Sequence, residues 1–173
     1  MTAALHFQRV ALLKRGASVA AALVIVIPLL VLVGWTLHNE ALKRILPGLV
    51  AMNPVTALCL ILSGISLGLL KVEQEANQAR RRAGWACAGI VAVISLLVLA
   101  RDGFGLSLFP DRLLFFAQLA GNTMAPTTAA SFLLASLALL LLPVDARGKR
   151  PSEYFALAAV AIALLALIGY AYN

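Results

Sequence analysis

The chain is short of everything a water-facing surface is made from. Only 12% of its 173 residues are charged, and Asp and Glu together number 7. A soluble domain carries about 25% charged residues, so an ordinary soluble fold is excluded. Chemistry-bearing residues are scarce as well. There are two histidines, His6 and His38, and two cysteines, Cys59 and Cys87. No Gly-rich phosphate loop, dinucleotide fingerprint or nucleophile with base and orienting acid occurs. The reading is therefore of a protein that is not an enzyme. No acidic or basic residue is expected mid-membrane, which argues against a proton pump, an ion transporter or a voltage sensor.

What is abundant is apolar. Hydrophobic residues make up 62% of the chain, and the mean hydropathy is +0.98. A spanning helix takes about 17 to 25 such residues. Runs of that kind lie at about 17–37, 54–70, 84–100, 126–142 and 154–172. They lack the alternation of barrel strands, so the expectation is an all-α integral membrane protein with five transmembrane helices. The first run follows Lys14 and Arg15 like a signal peptide. It is long for a signal core, contains Pro28 and lacks a small-residue cleavage site, so a retained helix is expected. Residues 1–16 form a basic tail with amphipathic character, and residues 17–173 a single membrane domain.

The net charge of +7 reads as topology rather than nucleic-acid binding, because the basic residues sit in short flanks between apolar runs. Ten of the 14 Lys and Arg residues fall in the N-terminal tail and the second and fourth connections, and four in the first and third. That asymmetry predicts a cytoplasmic N-terminus and a periplasmic C-terminus in a bacterial inner membrane. His6 and His38 then lie on opposite sides and do not ligate one haem or metal. No cofactor is expected. Cys59 and Cys87 are expected at depths too different for a disulfide.

One frame occurs twice. Met52-Asn53-Pro54-Val55-Thr56-Ala57 opens the second run, and Met124-Ala125-Pro126-Thr127-Thr128-Ala129 opens the fourth, at an ungapped offset of 72 residues. Small residues recur in register after it: Ser63 over Ala135 and Gly64 over Ser136. This reads as an internal repeat in parallel orientation, unlike the inverted repeats of many transporters. Asn53 stands where a cap is wanted and Pro54 where the first turn begins. Ala125 replaces Asn53 in the second copy, so its cap must come from elsewhere. Gly64 and Gly68 form a G-x-x-x-G pattern that lets another backbone approach. The expectation is a helix pair packed through Thr56, Ser63, Gly64, Gly68, Thr128, Ala135 and Ser136. Two outer segments accompany it. Residues 40–46 carry charged and apolar residues at helical spacing and are expected to lie flat on the outer surface. Residues 103–125 are too apolar for a free loop, and Phe104, Phe109, Asp111, Arg112 and Phe116 mark a possible ligand-facing surface.

These residues resemble a family. Met52, Pro54, Thr56, Ala57, Leu58, Leu62 and Gly64, then Met124, Pro126, Thr128, Ala129 and Leu134, are similar to the membrane-embedded N-terminal input region of bacterial PAS-containing histidine kinases and diguanylate cyclases. Phe104-Gly105-Leu106-Ser107-Leu108-Phe109 and Ile168-Gly169-Tyr170-Ala171-Tyr172 resemble the family's outer connection and last helix end. The resemblance covers most of residues 46–173. Ala130 and Ser136 depart from the Leu and Gly of the family pattern, and no output domain follows in the given chain. The resemblance implies a non-catalytic sensor or input module responding to a membrane-borne or periplasmic cue. The competing expectation is a small accessory subunit of a larger inner-membrane complex. Expected partners are membrane lipids and either other membrane subunits or a homodimer partner.

Overall fold

The structure is a computed structural model and describes residues 19, 22–44, 51–70, 78–105, 122–144 and 150–172. Among these residues it is all-helical. The elements are α1 (Ala22–Thr36), then α2 (Glu40–Lys43), α3 (Pro54–Leu70), α4 (Gln78–Phe104), α5 (Pro126–Leu140) and α6 (Pro151–Ala171). By length and composition α4 and α6 can cross a membrane, whereas α1, α3 and α5 are shorter apolar helices. The basic tail 1–16, most of the second connection and residues 145–149 lie outside the described residues.

The starts follow local chemistry. Asn53 Oδ1 accepts the Val55 N–H at 2.8 Å, which satisfies one of the orphan donors of the first turn. Proline stands at the first helical positions of α5 and α6, where the missing N–H costs nothing. For α6 this places the start at Pro151 rather than at Tyr154. The larger correction concerns α4, expected over 84–100 and found over 27 residues from Gln78 to Phe104. Its first turns, Gln-Ala-Arg-Arg-Arg, are polar but are strong helix formers, so an apolar pattern alone begins too late. The Arg81 guanidinium lies 4.6 Å over the Trp85 ring one turn on, a cation–π contact.

Packing runs from neighbour to neighbour. Ser66 Oγ on α3 donates to the Gly84 carbonyl on α4 at 2.8 Å. Gly84 faces Leu69 and Leu70 so closely that a β-carbon there would stand 2.9 Å from Leu70. The main core joins Val55 and Cys59 of α3, Val91 and Val98 of α4, and Ala129 and Phe132 of α5, with Met124 just before α5. A second cluster joins Val31 and Trp35 of α1 to Ala57 of α3. Helix α6 lies against α5 and leaves Leu157, Leu164, Leu165 and Leu167 exposed.

Trp35 near the end of α1 is 3% exposed, and its Nε1 donates to the Met52 carbonyl at 2.9 Å. Of the 40–46 segment, residues 40–44 are described. The chain reverses at His38, which takes a left-handed φ of 55°, and α2 folds back onto the end of α1. Leu42 and the Lys43 backbone press on Gly34. Lys43 is buried, bonded to Glu40 at 2.8 Å and set 4.6 Å over the Trp35 ring.

Candidate functional site

The starts of α3 and α5 meet at one end of the bundle, together with the ends of α1 and α4. Asn53 Nδ2 donates to the Asn122 carbonyl at 2.8 Å. Asn122 Nδ2 donates back to the Ala51 carbonyl at 2.7 Å. The two stretches ahead of the helices are thus tied reciprocally, and Asn53 is buried. A buried amide satisfied on both ends specifies one arrangement, because breaking it leaves orphaned polar groups.

Matching backbone positions are treated alike. The Asn53 carbonyl accepts from Ala57 N and the Ala125 carbonyl from Ala129 N, each at 3.0 Å. The Met52 carbonyl accepts from Trp35 at the end of α1. The Met124 carbonyl accepts from Arg101 Nη2 at the end of α4, at 3.5 Å. Arg101 also pairs with Asp102 at 2.7 Å, as its position beside that acid leads one to expect. Ala125 makes no side-chain cap bond, and the nearby tie comes from Asn122.

Below this end, α3, α5 and α6 enclose a cavity of about 450 Å³ that opens to the surface. Its walls are Thr56 and Leu60 of α3, Thr127, Thr128, Ser131 and Ala135 of α5, and Ala159, Ala163 and Ala166 of α6, among others. The volume falls in the range of small-molecule sites, about 300–1,000 Å³. Among the described residues no charged side chain lines it. Ser131 Oγ donates to the Thr127 carbonyl at 3.0 Å. The Thr56 and Thr128 hydroxyls make no hydrogen bond to any described residue. A helical threonine commonly returns its hydroxyl to the carbonyl four residues back. For Thr56 and Thr128 those carbonyls are Met52 and Met124, which accept from Trp35 and Arg101 and keep a second lone pair each.

The residues singled out in the sequence separate into groups. Thr56, Thr128 and Ala135 share the cavity. Ser136 is buried and donates to the Leu133 carbonyl of its own helix at 2.8 Å. The Ser63 hydroxyl is buried without a partner among the described residues. At Gly64 the close neighbour is α1: a β-carbon there would meet Ile25 at 2.8 Å. Gly68 has open space around it. Phe104 is 82% exposed, whereas Phe109, Asp111, Arg112 and Phe116 lie outside the described residues. Cys59 and Cys87 are not joined in a disulfide, and Cys59 is buried. Among the described residues no three His, Cys, Asp or Glu side chains gather as a metal site.

Sequence reasoning did not single out Asn122, Ser131 or the α6 alanines. The alanines carried a signal, since Ala159, Ala163 and Ala166 repeat at the spacing of one helix face. Asn122 carried none, being one polar residue in a loop. No family model, curated protein or solved structure matches the chain.

Proposed function

We propose that the chain is a non-catalytic, membrane-embedded input module, with the cavity beneath the paired helix starts as its sensing element. The five apolar helices act as five membrane spans with the N-terminus cytoplasmic and the C-terminus periplasmic, in a bacterial inner membrane. The two Met-x-Pro-x-Thr helices are copies of one unit laid down in the same direction. The likeness to the input regions of PAS-containing histidine kinases and diguanylate cyclases supports this reading. The observation that carries it is the Asn53–Asn122 tie above two uncommitted threonine hydroxyls. Four elements converge there on side-chain bonds to carbonyls, so a shift of one helix must break or remake bonds held by the others. Signalling by shifted packing needs such an element with two discrete arrangements.

Pulsed electron–electron spin resonance between labels at Gln78→Cys on α4 and Thr123→Cys ahead of α5, both exposed, in a background without Cys59 and Cys87, tests the switch. A sensor gives two distance populations whose weights move with membrane composition. A single, unmoved population sinks the sensor reading.

A second reading, an accessory subunit of an inner-membrane complex, is favoured by α6. Its exposed leucines give a face fit for a neighbouring subunit. Photo-crosslinking from Leu164 in native membranes separates the two: adducts to another protein support the subunit, and adducts to lipid alone count against it.

A further inference from the structure

The geometry points to the cavity between α3, α5 and α6 as a binding site for an uncharged, chain-bearing lipid whose carbonyl oxygen accepts from the Thr56 and Thr128 hydroxyls. This rests on the chain being membrane-embedded, but not on its being a sensor. Three observations combine. The first is the space itself, about 450 Å³, kept by alanines on α6 where larger side chains would fill it. The second is the distribution of polarity. Thr56 and Thr128 stand in the first turns of their helices, and the walls beyond them run through Leu60, Ala135 and Ala159. From Thr128 to Ala135 the helix rises about 10 Å, so a polar end leads into an apolar channel. The third is that the Thr56 and Thr128 hydroxyls bond no described residue, the carbonyls four residues back accepting from Trp35 and Arg101 instead. The two hydroxyls remain available, and an apolar site with a few placed polar groups is the common form of a ligand pocket.

The lining also selects. Among the described residues no charged side chain lines the cavity, so these walls offer nothing to neutralise a phosphate or a carboxylate, and burying either unpaired is costly. A hydroxyl donor pair suits a carbonyl, which an ester lipid and a chain-bearing quinone share. The acyl or isoprenoid chain would follow the alanine-lined wall, and the carbonyl would sit at the threonine end.

The test uses the full chain in a maltoside detergent, which has no carbonyl, with thermal stability and intrinsic fluorescence as readouts. Monoolein supplies the ester arm and decylubiquinone the quinone arm. Saturable stabilisation by one of them is expected, and its identity assigns the source. Ala163→Leu fills the cavity from an exposed helix face and should abolish the effect. Thr56→Val with Thr128→Val keeps the shape and should weaken binding about tenfold. Leu164→Ala, which does not line the cavity, should leave it unchanged. Binding by neither probe, or equal binding by wild type and Ala163→Leu, overturns the site. Alkaline carbonate extraction of native membranes is run alongside. A chain that resists extraction but binds neither probe refutes the site alone, and a chain released by carbonate refutes the embedded reading.

Discussion

Asn53 and Asn122 each donate to backbone on the other's side, the first to the Asn122 carbonyl at 2.8 Å and the second to the Ala51 carbonyl at 2.7 Å. Asn53 also accepts from Val55 N. One amide therefore starts α3 and fixes where the chain enters α5. Asn53→Ala removes a cap and a cross-tie together and should cost about 2 kcal/mol. Asn122→Ala should cost about 1 kcal/mol. Both bonds end on backbone carbonyls that survive substitution, Asn122 for the first and Ala51 for the second, so each single variant keeps the other's bond and the two costs should add in the double variant. Reversible unfolding in mixed detergent micelles measures all three, and single variants as stable as wild type would count against the reciprocal tie.

The glycines divide by what a methyl group would meet. At Gly34 a β-carbon would stand 2.6 Å from Leu42 Cβ and 2.8 Å from the Lys43 backbone nitrogen. Backbone cannot swing aside as a side-chain tip can, so Gly34→Ala should destabilise by about 1–3 kcal/mol. At Gly68 nothing lies within 4 Å, and Gly68→Ala should be neutral or stabilise by up to about 1 kcal/mol through helix propensity. Equal melting temperatures for the two variants would contradict the packing of α2 on α1.

Burial gives a prediction for the two thiols. Cys59 is buried in the core and Cys87 is half-buried on α4. A small membrane-permeant maleimide should modify Cys87 in the native protein and reach Cys59 only as the fold opens. Mass spectrometry of Cys59→Ala and Cys87→Ala resolves the two rates, and faster modification at Cys59 would contradict the α3–α4–α5 core.

Glu40 supplies the pH prediction. The hydrogen bond from Lys43, then its charge and that of Arg44, hold the Glu40 carboxyl below its ordinary value of 4.5. A depressed folded value means the pair contributes above the unfolded value and is lost as pH falls through the folded one. Lys43 lies over Trp35, so Trp35 fluorescence in a Trp85→Phe background reports the loss. It should change in one acid transition whose midpoint lies below the ordinary glutamate value. Glu40→Gln should remove that acid transition, and a midpoint at or above 4.5 would contradict the ion pair.

Much of the helix order was legible because long apolar runs and N-terminal prolines are local signals. Pro54 and Pro126 mark the starts of α3 and α5. The start of α4 was hidden, since Gln78 to Arg82 form helix by propensity while reading as a charged connection. The site was half legible. Thr56 and Thr128 stood out through their shared frame, but the frame does not reveal what faces them. Gly64 answers to α1 rather than to α5, a matter of which helix crosses at that level. Asn122 acts through a carbonyl 71 positions away in the chain, and no periodicity encodes such a pairing.

Side-specific thiol labelling tests the embedded, paired arrangement most directly. In a background without Cys59 and Cys87, single cysteines replace Ala41, Thr123, Gln78 and Val144, all exposed in the fold. Ala41 and Thr123 lie toward the asparagine end, and Gln78 and Val144 toward the other. An impermeant maleimide added to spheroplasts should label Ala41→Cys and Thr123→Cys, and should reach Gln78→Cys and Val144→Cys only after permeabilisation. Labelling of all four from one side, or of Ala41→Cys and Thr123→Cys from opposite sides, would contradict it.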